Sequence, residues 1–135
     1  FWELLKKRAV HMVRPDLCLA GGISQCKKIA AMAEASFVKV VPHNPLSAVS
    51  TAACVQLDAC IPNFILQELI PDDVYTGPPR QSMVKRPLEI EKGYIKVPTE
   101  PGLGVELDEA KLAKYPFEEH DPPWLLREDG SVADW

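Results

Sequence analysis

No apolar run in the sequence approaches the roughly 20 residues that cross a bilayer, so no membrane role is expected. A basic stripe is missing too. The formal net charge is -4 and Lys and Arg are scattered among Asp and Glu, so a nucleic-acid surface is not expected. Cys18, Cys26, Cys54 and Cys60 match no C-x-x-C spacing, which argues against a zinc or redox site. Cys26, Cys54 and Cys60 fall in segments that read as helical, beside Ala and Ile, where a free thiol is a small buried hydrophobe. Reduced cysteines suit the cytoplasm, and no export signal pattern opens the chain. There is no low-complexity tract.

What is there suits one globular domain: 135 residues, 47% hydrophobic and 25% charged. The opening Phe1-Trp2-Glu3-Leu4-Leu5-Lys6-Lys7-Arg8 has no cap residue and reads as a helix entered in its middle. The expectation is that the N-terminal part of a larger protein precedes it.

Residues 1–70 alternate between two periods. Val10 to Val13 is strand-like and closed by Arg14-Pro15-Asp16. After a Gly21-Gly22 turn, Ser24 is the expected N-cap of a helix with Cys26, Ile29, Ala30 and Ala33 on one face. Phe37 to Val41 is the next strand. Val49, Ala53, Leu57 and Cys60 mark a second helix stopped by Pro62, and Phe64 to Leu66 is a third strand ending at Gln67-Glu68. This order predicts an α/β fold with right-handed crossovers and a parallel sheet. Three strands leave open edges, and residues 71–135 look poorly suited to cover them. Nine of the thirteen prolines fall between Pro71 and Pro123. One extended stretch, Leu88 to Val97, precedes a turn at Pro101-Gly102-Leu103-Gly104, a short helix is expected from Asp108, and the tail from His120 to Trp135 has aromatic anchors without a regular pattern. The whole resembles a strap that packs on something else.

A polar residue stands at the C-terminal end of each strand: Asp16, His43 and Glu68, with gaps of one strand–helix unit. In parallel α/β architectures these ends form the working face. A histidine base oriented by a carboxylate is the chemistry suggested, and Pro42 and Pro45 would stiffen the loop that carries the ring. Blander readings stand beside it. Asp16 could simply satisfy backbone N–H groups after Pro15, Glu68 could be an exposed strand end, and a lone loop histidine is usually solvated. His11 alternates within a strand and is expected to pack there; neither it nor His120 is a candidate. A small non-catalytic βαβαβ module also fits the first half.

The stretches "RPDLCLAGGISQCKKIAAMAEA", "VVPHNPLSAVSTAACVQLDA", "NFILQE" and "VPTEPGLGVELDEAKL" together resemble the C-terminal part of the enolase superfamily, mandelate racemase-like branch. The "PHNPL" loop and the tail "PPWLLREDGSVADW" are most similar to its acid-sugar dehydratases of the galactonate dehydratase type. The resemblance implies strands six to eight of a (β/α)7β TIM-like barrel over residues 1–70. It implies a proline-rich extension over 71–135 that returns to a capping domain. His43 then matches the base that removes the proton α to a carboxylate, Asp16 its supporting aspartate, and Glu68 the last-strand glutamate that bonds the carboxylate or enediolate. The family uses Mg2+, whose three carboxylate ligands lie on strands upstream of Phe1, as does a second histidine. This chain alone is therefore expected to bind no metal and to be inactive. The full-length enzyme is expected to be a homo-oligomer acting on a small aldonate and releasing water to give a 2-keto-3-deoxy acid. Racemase, cycloisomerase and other aldonate dehydratase activities stay open within the family.

Overall fold

Met12–Val13 (β1) and Lys39–Val40 (β2) pair in parallel, Met12 opposite Lys39 and Val13 opposite Val40. The computed structural model describes residues 1–74, 79–119 and 126–132. Val13 and Val40 are buried while Met12 and Lys39 are exposed, as the two-residue period of a strand requires. A third parallel segment joins the far edge of β2 through Val40 and Phe64. Val40 N–H donates to the Asn63 carbonyl at 2.9 Å, and Ile65 N–H to the Val40 carbonyl at 3.2 Å. Consecutive segments are thus spatial neighbours, the order of a barrel wall. Among the described residues this wall does not close on itself.

Trp2–Lys6 (α1), Leu17–Ala20 (α2), Gly22–Ala35 (α3) and Ala48–Asp58 (α4) are the helices of the first half. The glycine pair does more than turn the chain. Gly21, at φ 101°, ends α2 and begins α3, a left-handed conformation glycine takes without a Cβ penalty. Because α3 starts there, Ser24 is not its N-cap as expected; it lies inside the first turn, and no side chain caps this end. The expected face is correct: Cys26, Ile29, Ala30 and Ala33 are buried with Leu5, Leu17, Val38, Val40, Cys54, Leu57 and Ile61. Asn63 ties the helix to the sheet, its amide donating to the carbonyls of Ala30 (3.1 Å) and Val38 (3.0 Å).

Phe37 is not the first residue of a strand. It sits at φ 59° just past Ser36, the C-cap of α3. Phe37 N–H donates to the Glu34 carbonyl and Val38 N–H to the Ala33 carbonyl, the paired bonds of a Schellman motif. Aromatic character suggested β structure at a position where helix termination dominates. Cys60 also departs from its reading: α4 ends at Asp58, and Cys60 is exposed in the turn beyond, since Pro62 disfavours helical geometry just before it. His11 is exposed ahead of β1 rather than packed. Its carbonyl accepts from Lys39 N–H at 3.2 Å.

In the second half the stretch 88–97 folds back on itself. Ile90–Glu91 (β3) and Tyr94–Ile95 (β4) pair antiparallel around Lys92 and Gly93, both at positive φ, a two-residue hairpin turn. Glu109–Leu112 (α5) is capped by Asp108, whose carboxylate accepts from Lys111 N–H at 3.1 Å. The strap also touches the first half. Met83 and Val84 are buried, Ala48 N–H donates to the Arg80 carbonyl at 2.9 Å, and the Arg80 guanidinium bonds the Pro45 carbonyl. Asp72 organises this return by accepting from the N–H groups of Arg80, Gln81 and Ser82 at 2.6, 2.7 and 2.9 Å. His120 and the tail aromatics Trp124 and Trp135 lie outside the described residues.

Candidate active site

The loop Pro42-His43-Asn44-Pro45 has only two backbone donors, because proline has none. His43 N–H donates to the Pro15 carbonyl at 3.1 Å, extending the β1–β2 ladder so that Asp16 and His43 stand as a parallel pair. Asn44 N–H donates to Glu68 Oε2 at 2.7 Å. One loop is thereby tied on its two sides to the tips of both neighbouring strands.

Asp16 divides its carboxylate between two tasks. Oδ1 accepts from Cys18 N–H (2.8 Å) and Leu19 N–H (3.1 Å), capping α2. Oδ2 faces His43 Nδ1 at 3.0 Å. The turn-stabilising role and the histidine-orienting role are both present, one per oxygen. Burial pushes the Asp16 pKa up, but the hydrogen bond with His43 and those from Leu19 and Cys18 outweigh it and hold the carboxyl below its ordinary value. An ionised carboxylate only accepts, so Nδ1 carries the ring hydrogen and Nε2 keeps a free lone pair. The His43 side chain is 40% exposed, while its orienting acid, at 11%, is covered.

Glu68 stands across the loop, its Oε2 4.0 Å from His43 Nε2, beyond hydrogen-bond range. The same oxygen meets Arg14 Nη2 at 2.6 Å. Burial raises the Glu68 pKa, and the Asn44 N–H bond together with the Arg14 hydrogen bond and charge overcome it, leaving the group below its ordinary value. Glu68 is therefore an engaged, ionised group rather than a free strand end.

Asp16, His43 and Glu68, the three candidates from strand spacing, do converge. Two further residues escaped the sequence reading. Arg14 looked like the close of a strand, and nothing in the spacing announced its guanidinium beside Glu68. Asn44 is fully buried, and its amide donates to Thr51 Oγ1 (2.9 Å) and the Glu68 carbonyl (3.2 Å). An asparagine enclosed by proline on both sides of a His-Asn pair was the available signal.

These groups do not fit a magnesium site. Among the described residues, no cluster of three or more His, Cys, Asp or Glu side chains stands ready to hold a metal ion. Asp16 is occupied by two N–H groups and an imidazole, and the cationic Arg14 stands against Glu68, where it would repel a divalent cation.

Residues 1–111 match the enolase C-terminal domain-like family. The chain is 40% identical over 141 aligned positions to D-galactonate dehydratase of Variovorax paradoxus, the alignment covering all of this chain and 37% of that protein. The chain thus spans little more than a third of the length of that relative. Among solved structures, an enolase from Agrobacterium radiobacter with sodium and L-malate bound superposes with a TM-score of 0.84 at 32% identity, covering 97% of this chain and 36% of that one. An enolase from Pantoea ananatis holding D-gluconate and magnesium gives 0.82 at 32% identity, covering 96% and 31%. The parallel wall, with its polar tips, has the TIM-barrel-type α/β character of these proteins, and the chain belongs to the enolase C-terminal domain-like family.

Proposed function

We propose that this chain supplies the proton-abstracting side of an acid-sugar dehydratase active site. The observation that carries the reading is the 3.0 Å His43–Asp16 pair on adjacent strand tips, with Glu68 opposite. His43 Nε2 takes the proton α to the carboxylate of an aldonate, and loss of the β-hydroxyl as water then gives a 2-keto-3-deoxy acid. Asp16 fixes the tautomer and stabilises the imidazolium formed, the role a buried carboxylate plays behind a histidine base. Glu68, ionised, accepts hydrogen bonds from substrate hydroxyls or an acid form, and Arg14 contributes the positive charge beside it that a carboxylate or enediolate needs. The name of the Variovorax relative and the D-gluconate in the Pantoea enolase support a sugar acid as substrate.

A magnesium ion held by other residues of such a site would supply the positive charge that makes an α-proton acidic. Its ligands belong, in this reading, to polypeptide outside these 135 residues, and the chain alone is inactive. Residues 1–70 carry the tips, and residues 71–135 form the extension that reaches a capping domain. The working enzyme is a cytoplasmic homo-oligomer. The test is exchange of the α-proton of D-galactonate and D-gluconate with deuterium, using a full-length polypeptide that includes this segment. His43→Asn should abolish exchange while leaving the fold intact. Exchange that persists in the variant would mean another group is the base, and exchange without water loss would identify a racemase.

A further inference from the structure

Along β2 and its continuation, successive N–H groups point alternately to the two neighbouring strands. Toward β1 the rungs are all backbone: Lys39, Val41 and His43 N–H donate to the His11, Val13 and Pro15 carbonyls at 3.2, 3.0 and 3.1 Å. Toward the third segment the ladder lapses. Val40 N–H donates to the Asn63 carbonyl, and Pro42 has no N–H to give. Asn44 N–H goes to Glu68 Oε2 at 2.7 Å rather than to a carbonyl. Among the described residues the last backbone bond on this side is Ile65 N–H to the Val40 carbonyl, which stops short of Glu68.

The Asn44 side chain fills the gap in the ladder. Its Nδ2 donates to the Glu68 carbonyl at 3.2 Å and to Thr51 Oγ1 at 2.9 Å. Thr51 lies near the start of α4 and uses its own hydroxyl hydrogen on the Ser47 carbonyl at 3.1 Å, so toward Asn44 its oxygen can only accept. Two acceptors therefore fix which end of the amide faces them. Asn44 and Thr51 are both fully buried. Asn44 Oδ1 is buried without a hydrogen-bond partner among the described residues, a cost that an apolar side chain filling the same space would avoid. We propose that Asn44 is a positioning residue: its amide clamps the Glu68 tip to α4 and thereby sets the gap, 4.0 Å from Oε2 to Nε2, between Glu68 and the His43 ring. Without the clamp no backbone bond holds Glu68 beside Asn44 N–H, and Oε2 is left to Arg14, whose side chain is half exposed. The catalytic importance of that gap rests on the proton-transfer reading, whereas the hold on Glu68 does not.

The test compares amide hydrogen exchange at residues 43 and 44 in the whole 135-residue chain, corrected for intrinsic rates. Asn44→Ala keeps the N–H at position 44. That N–H should exchange about 10-fold or more faster relative to His43 N–H, whose bond to Pro15 is untouched. In the wild type the residue 44 amide proton shift should follow the titration of Glu68, and in Asn44→Ala it should not. Thr51→Val, isosteric but without the acceptor, should speed residue 44 in the same selective way, and Thr51→Ser, which keeps the hydroxyl, should not. If Asn44→Ala fails to fold, the two Thr51 variants decide. Equal acceleration of both amides, the mark of a merely structural role, overturns the proposal, as does unchanged exchange at residue 44. In a full-length polypeptide that includes this segment, Asn44→Ala should slow exchange of an aldonate α-proton by about 10-fold or more. An unchanged rate there, where His43→Asn abolishes exchange, also overturns the proposal. Exchange that survives in His43→Asn sinks the proton-transfer reading instead, and the residue 44 amide then decides the hold on Glu68 by itself.

Discussion

At the scale of single residues, the tip chemistry depends on which side chain satisfies which oxygen. Arg14 is the informative position, because one guanidinium at 2.6 Å from Glu68 helps hold that carboxyl ionised. Arg14→Met keeps the aliphatic stem and removes the charge. Glu68 should then titrate at higher pH than in the wild type, read from its side-chain carbon shift, while the His43–Asp16 pair stays in place. In a full-length enzyme the same change should lower kcat/KM by about 10-fold or more, the usual size of one lost charge-assisted contact. An unmoved Glu68 midpoint would mean that the Asn44 N–H bond alone sets its state. Asp16, His43 and Glu68 were legible because strand-end polarity repeats with the unit length. Arg14 and Asn44 were not, since their importance comes from where Glu68 turns, a tertiary fact that no local spacing encodes.

At the scale of elements, the sequence misled most where helix ends were concerned. Ser24 has the chemistry of a cap, yet Gly21 fixes the helix start earlier by its left-handed backbone. Phe37 has the chemistry of a strand residue, yet it closes α3 in the conformation reserved for glycine. Its ring is 96% exposed, so it gains little from packing to offset the backbone cost of a bulky side chain at positive φ. Phe37→Gly should therefore stabilise the chain by about 1 kcal/mol, seen as a higher urea midpoint with an unchanged slope. A lower midpoint would show that the ring has a contact worth more than the strain. The hairpin was missed for a similar reason: Lys-Gly is a weaker turn signal than Asn-Gly, so 88–97 read as one extended stretch.

At the scale of the whole molecule, two sets of carboxylates pull stability in opposite directions with pH. Asp16, Glu68 and Asp72 have folded-state values below their unfolded ones. Their contribution is present above the unfolded carboxylate range and is lost as pH falls through the lower folded values. Asp58 is the reverse case. Its folded value, about 7, lies above the unfolded one, so its contribution is complete below the ordinary carboxylate range and is lost as pH rises through 7. Stability should be greatest near the top of the ordinary carboxylate range, at about pH 4 to 5, and fall from there toward pH 7. Asp58→Asn should flatten the alkaline limb, gaining about 2 kcal/mol relative to wild type between pH 5 and pH 8, measured by urea unfolding across pH. A parallel decline in both proteins would place the alkaline loss elsewhere. The parallel wall itself was legible from alternating periods, whereas the return of the strap to Pro45 and Ala48 was not, because Asp72 and Arg80 act through backbone groups.

The Asp16–His43 pairing has one more consequence, for how such a chain tolerates change. The two residues are held by a ladder bond between their strands, His43 N–H to the Pro15 carbonyl, and not by the helix that connects them. Lengthening the solvent-facing connection after α3 by a residue or two costs little in loop closure and leaves that rung untouched. Slipping the strands by one residue would turn His43 to the opposite face. The dyad is thus insulated from an added residue in the exposed turn after α3 and vulnerable to any change in strand register. One residue added beside the exposed Phe37 should leave the pair in place, and a deletion of one residue within 12–15 or 39–42 should separate acid from base.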